Sequence, residues 1–272
     1  MKKFFFTAAA LAGMFLFSCS EELKENTENV IATELLTKTQ KTNWVDTKIS
    51  NEIINNQKSI SHYEFNVNEL KELVGNENVS YVWFDLGLND ANQITFTATG
   101  ESTSGYTVMQ VSSKIISTNE YKEDFSVFTR VGNVALNTNP ELDHILQNSD
   151  AYEYLTEMKK AYDDFEETLD QEGQRVERFG LDVIIVKRML MTHDINSLGL
   201  FLGKNKQGKM TTVFIGKDKN DNLLIDAQAA ESTAGMAFDH TLPCPQQCGC
   251  TCDDGEFSPT CKCDDDQEVI ED

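Results

Sequence analysis

The chain has 272 residues, 40% of them hydrophobic, which is enough for a sizeable buried core in one or two domains. Its 23 basic side chains are outnumbered by 45 acidic ones, a formal charge of −22. A surface this acidic repels the phosphate backbone of nucleic acid and an anionic membrane alike, so nucleic-acid binding and attachment through a basic patch are the function classes that the charge argues against.

In chain order, Lys2 and Lys3 precede an apolar or small run from Phe4 to Phe17 that closes in Leu16-Phe17-Ser18-Cys19. The run is shorter than the roughly 20 residues of a membrane-spanning helix and carries the flanks of a secretion signal over residues 1–18. Its end resembles the lipobox of bacterial lipoproteins. That resemblance implies that Cys19 becomes the first residue of the mature chain, carries a diacylglycerol group and is the contact with the outer membrane. Ser20 to Lys41 is polar, with Glu21, Glu22, Glu25 and Glu28, so residues 19–41 read as a lipidated, solvated tether. Ser20-Glu21-Glu22 resembles the surface-export signal of lipoproteins from Bacteroidota, which implies the cell surface, with the periplasmic face of the membrane as the alternative.

A first α+β unit is expected over residues 42–131. Val45, Ile49 and Ile53 fall four apart, and Asp46 can cap a short helix to about Gln57. A second helix starts at Asn66, with Glu69 three residues on, and stops at Gly75. Val79 to Leu86 is an apolar, aromatic strand, and Gly87-Leu88-Asn89-Asp90 turns it into a partner at Ile94–Thr97, a β-hairpin. Tyr106–Ile116 and Phe125–Val131 read as further strands of the same sheet.

Residues 132–148 read as a connection, followed by a second unit over residues 149–242. Ala151, Leu155, Met158, Tyr162, Phe165 and Leu169 make the apolar stripe of a helix with Ser149 as N-cap and Gly173 as its stop. Phe179-Gly180-Leu181 then leads into an apolar helix through Ile185 and Met189, and Leu198–Gly203 and Met210–Ile215 form a second hairpin. Setting Gly87 over Gly203 aligns GLNDANQITFTATG with GKNKQGKMTTVFIG, with coincidences at Gly87/Gly203, Asn89/Asn205, Thr95/Thr211 and Gly100/Gly216. The order helix, helix, strand, strand repeats upstream of both, so an internal duplication is expected.

Residues 151–248, ending in Pro243-Cys244-Pro245 and Cys248, resemble a group of small uncharacterised proteins of Bacteroidota that end in Pro-Cys-Pro-x-x-Cys. The resemblance implies no activity, and this chain departs from the pattern by adding four cysteines and an acidic end. The tail, residues 243–272, thus holds Cys244, Cys248, Cys250, Cys252, Cys261 and Cys263. Outside the cytoplasm an even set of this kind reads as disulfide staples, in one of fifteen connectivities. The alternative is a soft-metal site for zinc or monovalent copper, to which Asp253, Asp254, Asp264, Asp265 and Asp266 would attract a cation.

Other chemistry is weakly signalled. His62, His144, His193 and His240 are scattered and are expected at the surface or at strand ends. His193-Asp194 and Asp239-His240 could orient a base, but no serine or cysteine near them has a nucleophile's context. Asp218-Lys219-Asn220-Asp221-Asn222 begins like a calcium loop, yet Leu223 stands where glycine is needed and Ala229 where glutamate is, so a hairpin turn is expected. The sequence therefore points to an α+β lipoprotein of two related units, each with helices on an antiparallel sheet built around a hairpin, and to a non-catalytic binding or structural module of the cell envelope. The expected partner is the outer membrane through lipid on Cys19, with no nucleic acid and no cofactor. A metal-binding lipoprotein and an envelope enzyme using His193, Asp194, Asp239 and His240 are the alternatives.

Overall fold

The computed structural model describes residues 35–131, 145–171, 174–225, 237–239, 242–244, 250–251 and 257–258. Its first helix, α1 (Lys38–Asp46), opens with a full capping box: the Thr37 hydroxyl accepts from Gln40 N, and the Gln40 side chain accepts from Thr37 N at 2.9 Å. Trp44 is the buried residue of this helix, so it has no apolar stripe to betray it. The expected tether to Lys41 therefore ends earlier, with Leu36 already buried. Because Asp46 closes α1 instead of capping the next helix, α2 (Asn51–Lys58) starts late, capped by Ser50. Strand β1 (Ile60–Asn66) was not expected. Asn66 ends it and caps α3 (Val67–Gly75) by accepting from Asn68 N and Glu69 N, as expected.

The first hairpin is β2 (Tyr81–Leu88) and β3 (Ile94–Glu101). The single strand expected to follow is broken at Ser113, whose N–H and hydroxyl both donate to Phe96 O, at 3.0 and 2.8 Å. Before the break, β4 (Thr107–Ser112) stays beside β3; after it, β5 (Lys114–Ser117) joins the other sheet. Phe125–Val131 is not a strand but carries helix α4 (Ser126–Val131). So short an apolar run fits either period, and Asp124 decides it by accepting from Ser126 N at 3.0 Å at the start of the helix.

In the second half, β6 (Ile145–Leu146) leads to α5 (Asn148–Lys160), a 3-10 turn (Ala161–Asp164) and α6 (Phe165–Leu169). The expected long helix is thus two, and its N-cap is Gln147, not Ser149; Gly173 lies outside the described residues. There follow the small pair β7 (Asp170–Gln171) and β8 (Gln174–Arg175), then β9 (Arg178–Asp182), α7 (Val183–Met189), and the hairpin β10 (Ser197–Lys204) and β11 (Met210–Lys217). Short strands β12 (Ala237–Phe238), β13 (Leu242–Cys244), β14 (Cys250–Thr251) and β15 (Phe257–Ser258) complete the set.

The fold is α+β with two main sheets, a six-stranded one in the order β5-β1-β10-β11-β12-β6 and a five-stranded one in the order β13-β9-β2-β3-β4. Each hairpin sits at the centre of its own sheet, but the strand that precedes it does not. β1 pairs antiparallel with β10, and β9 pairs antiparallel with β2, so the two halves have exchanged their first strands. The expected units are therefore interlocked and do not separate; all described residues belong to one compact unit, Thr33–Asp272.

Registers extend the duplication beyond the hairpins. The offset that carries Gly87 to Gly203 also carries Asn66 to Asp182, Tyr81 to Ser197 and Glu101 to Lys217, and each pair meets equivalent neighbours: Asn66↔Ser197 matches Asp182↔Tyr81, and Tyr81↔Glu101 matches Ser197↔Lys217. His62–Glu101 thus maps onto Arg178–Lys217 without insertion or deletion. Both helices of the pair are capped at the same place, by Asn66 and Asp182, and both hairpin turns bend around an asparagine side chain, Asn89 or Asn205, that accepts from the N–H groups two and four residues on. The same turn position takes positive φ in each, Asn92 at 55° and Gly208 at 79°.

The inner faces of the two sheets meet through aromatic side chains. Phe84 of β2 lies 4.6 Å from Phe214 of β11 and 5.5 Å from Phe65 of β1, and Tyr63 lies 4.6 Å from Phe96. Each of these rings is essentially fully buried, and each contributes about 1.5–3 kcal/mol of hydrophobic stabilisation. On the outer faces, α1 covers β2 at Gly87, where a Cβ would strike Leu36, and α5 covers β10 at Gly203, where a Cβ would stand 3.2 Å from Tyr154. A helix over each hairpin therefore follows the same internal symmetry, and the charged groups described next lie on these covered outer faces.

Candidate functional site

Along β2 the apolar run Tyr81-Val82-Trp83-Phe84 is interrupted by Asp85, which points to the outer face with its cross-strand partners Thr97 and Arg178. Asp85 is nearly fully buried and is held by three donors. Arg178 Nε reaches Oδ1 at 2.7 Å, while Lys41 Nζ from α1 and the Thr99 hydroxyl reach Oδ2 at 2.8 and 2.7 Å. Arg178 also donates to Glu101 Oε1 at 2.9 Å and stacks over Trp83, 4.4 Å from the ring. Asp85, Arg178, Lys41, Thr99 and Glu101 line a cleft of about 330 Å³ together with Trp44 and Glu177.

The offset that relates the two halves carries Arg178 back to His62 and Glu101 to Lys217, and a second buried polar cluster stands there. Lys217 is 1% exposed; its ammonium donates to Glu64 Oε2 at 2.6 Å and to His62 Nε2 at 3.0 Å, and forms an ion pair with Asp221 at 3.0 Å. Tyr121 lies beneath the ammonium, 4.8 Å away. His62 is wholly buried, stacked on Phe201 at 4.6 Å and met edge-on by Tyr121, and its Nδ1 lies 3.0 Å from Ser61 Oγ. Where β2 offers Asp85 to a cation, the equivalent position of β10 offers the phenyl ring of Phe201, which suits a neutral imidazole.

Electrostatics agree with that geometry. Burial, together with the Lys217 charge and against the pull of Glu64, lowers the His62 pKa from its ordinary 6.5. Burial alone would raise the Glu64 carboxyl, but the groups around its oxygens, with the Lys217 ammonium at 2.6 Å, outweigh it and hold it at about 2. Burial also raises the Tyr121 hydroxyl to about 12, so the ring beside Lys217 stays neutral.

Between β1, α2 and α5 a cavity of about 290 Å³ opens beside this second cluster. Leu155, Met158, Phe201 and Leu202 are among its apolar walls, and Ser61, next to His62, lies on its surface.

The residues named from sequence are distributed differently. His193 and Asp194 are 83% and 73% exposed, a surface pair at 2.7 Å, and neither belongs to the clusters. His62, expected at the surface or at a strand end, is instead buried at the centre of one. Asp239 is buried and accepts from the Thr211 hydroxyl, while His144 and His240 lie outside the described residues. Asp218 forms the expected hairpin turn, accepting from Asn220 N and Asn222 N. Cys19, Cys248, Cys252, Cys261 and Cys263 lie outside the described residues; Cys244 and Cys250 are described only as backbone of β13 and β14. Among the described residues no group of three or more His, Cys, Asp or Glu is placed to hold a metal, and no helix is long and apolar enough to cross a membrane. The sequence does carry a signal for the clusters: a lone charge inside an apolar strand, as at Asp85, and the duplication offset continued upstream to His62 and Arg178. Compared with known proteins, the chain matches no family model, no curated protein and no solved structure.

Proposed function

We propose that the chain is a lipoprotein of the bacterial cell envelope, anchored in the outer membrane by lipid on Cys19, and that its folded unit is a non-catalytic binding or structural module. The anchor is supported by the signal and lipobox-like end at Ser18-Cys19. The non-catalytic role is supported by one contact, Lys217 Nζ at His62 Nε2. An ammonium only donates, so Nε2 must accept, and a neutral imidazole then carries its proton on Nδ1, facing Ser61. A base for Ser61 would have to accept the serine proton at that same atom. His62 is therefore a donor to Ser61 Oγ and holds the hydroxyl without activating it. In the tail, the six cysteines are staples that an exported chain keeps oxidised.

The intact mass of the protein extracted from membranes tests this. The expected mass starts at Cys19, exceeds the polypeptide by a diacylglycerol and its acyl chains, and falls short by two hydrogens for each of three bridges. Cys19→Ala is expected to abolish the lipid mass and release the chain from detergent extracts of membranes. A wild-type chain without lipid would overturn the anchor, and free thiols on a native mass carrying zinc or copper would overturn the staples.

A further inference from the structure

We infer that the cavity between β1, α2 and α5 binds a small organic carboxylate with an apolar body. This deepens the binding-module role proposed above and rests on it. About 290 Å³ is room for roughly ten water molecules at ~30 Å³ each, close to the lower limit of small-molecule sites. One wall is apolar, formed by Phe125, Leu155, Met158, Phe201 and Leu202.

The polar wall is one-sided in its chemistry. Gln57 is 3% exposed and lines the cavity; its Oε1 accepts from the Tyr63 hydroxyl at 3.0 Å, and its backbone carbonyl accepts from the Tyr162 hydroxyl at 3.4 Å. Its side-chain NH2 has no acceptor among the described residues, so both of its donor bonds are available to a molecule in the cavity that this residue lines. Ser61 Oγ is occupied by the proton on His62 Nδ1, which leaves the hydroxyl proton directed elsewhere, again with no acceptor among the described residues. Two lysines stand at the cavity, Lys58 and Lys159, against one carboxylate, Glu123, which is already paired with Lys159. The cavity thus presents donors and a local positive excess inside a chain of net charge −22. A ligand that fits must bring acceptors and negative charge at one end and apolar surface at the other.

The test uses the mature chain from residue 19 with Cys19→Ser, labelled with ¹³C-methyl methionine, and three isosteric probes: 4-phenylbutyrate, 4-phenylbutanol and 4-phenylbutylammonium. Met158 lies on the cavity wall, and Met191, 72% exposed and outside the cavity lining, serves as control. The Met158 methyl is expected to shift saturably with 4-phenylbutyrate, with a dissociation constant on the order of 1 mM, as suits a ligand this small, while Met191 stays in place. The ammonium probe is expected to bind at least about tenfold more weakly. Gln57→Leu or Ser61→Ala each removes a hydrogen bond to a charged group and is expected to weaken the acid about tenfold. Ser61→Ala keeps the Gln57–Tyr63 bond, so it serves if Gln57→Leu does not fold.

No saturable shift with the acid, or equal binding of acid and ammonium, overturns the inference. If the alcohol or the ammonium saturates Met158 in place of the acid, the ligand class is wrong while the binding module stands. Release of 4-nitrophenol from 4-nitrophenyl 4-phenylbutyrate that disappears in Ser61→Ala would overturn the non-catalytic role instead.

Discussion

Asp85→Leu is expected to destabilise the fold by about 3 kcal/mol at neutral pH, read as a lower midpoint in urea with an unchanged slope. The aspartate is nearly fully buried and accepts from Arg178, Lys41 and Thr99. Its loss leaves the Arg178 guanidinium, 23% exposed, with Glu101 alone, and the Thr99 hydroxyl with no carboxylate to meet. The cost sits at the low end of the ~3–5 kcal/mol for breaking a buried pair, because Glu101 remains and Lys41, 40% exposed, can turn to water. The triple variant Asp85→Leu, Arg178→Met and Glu101→Met removes the guanidinium together with both carboxylates it holds and is expected to recover most of the loss, since apolar side chains of similar volume escape the desolvation penalty. A single variant within about 1 kcal/mol of the wild type would mean that the cluster is solvated like a surface pair.

Lys217→Met carries the other large effect, about 3–4 kcal/mol at pH 7, because it strips a buried cluster of its only cation and leaves Glu64 facing His62 and Asp221 uncompensated. It also has a pH signature. Glu64 is held at about 2 in the folded chain against an ordinary 4.5, and His62 is lowered from 6.5. Both shifts are downward, so both groups contribute stability above their ordinary pKa values and lose it as the pH falls, His62 from 6.5 and Glu64 from 4.5 toward 2. Glu64 is 23% exposed, and once solvent screening is allowed for, its share of the acid loss is about 2 kcal/mol. Without Lys217 the Glu64 carboxyl returns toward its ordinary range and the His62 imidazole rises, which flattens the acid limb. Urea titrations between pH 7 and 3 are therefore expected to show wild type and variant converging as the pH falls; parallel curves would contradict the role given to Lys217.

The hairpins, the helix capped by Asn66 and the apolar helix through Ile185 were readable from sequence because each has a local cause, a turn asparagine or glycine, a cap, or an apolar period. What escaped depends on partners distant in the chain. Helix α1 has one buried residue, Trp44, whose indole N–H donates to Val176 O at 2.6 Å, and no period in KTQKTNWVD could announce that bond. Strand β1 was missed because its inward residues, Tyr63 and Phe65, meet their partners only after the halves exchange strands. That exchange cannot be read from either half alone, since the same alternation pairs as well within a unit as across it. The clusters were hidden for the same reason. His62 and Lys217 are far apart in sequence and meet across β10, and only the offset that matches Gly87 to Gly203, carried on to the strand ends, would have paired them with Arg178 and Glu101.

The most direct test of the role proposed for this module is the protonation of His62 itself. In ¹⁵N-histidine-labelled protein near pH 7, its ring is expected to be neutral with the proton on Nδ1 and an unprotonated Nε2 that accepts from Lys217. A ring protonated on Nε2, with Nδ1 free to take the Ser61 proton, would contradict that role and make Ser61 and His62 a nucleophile and its base.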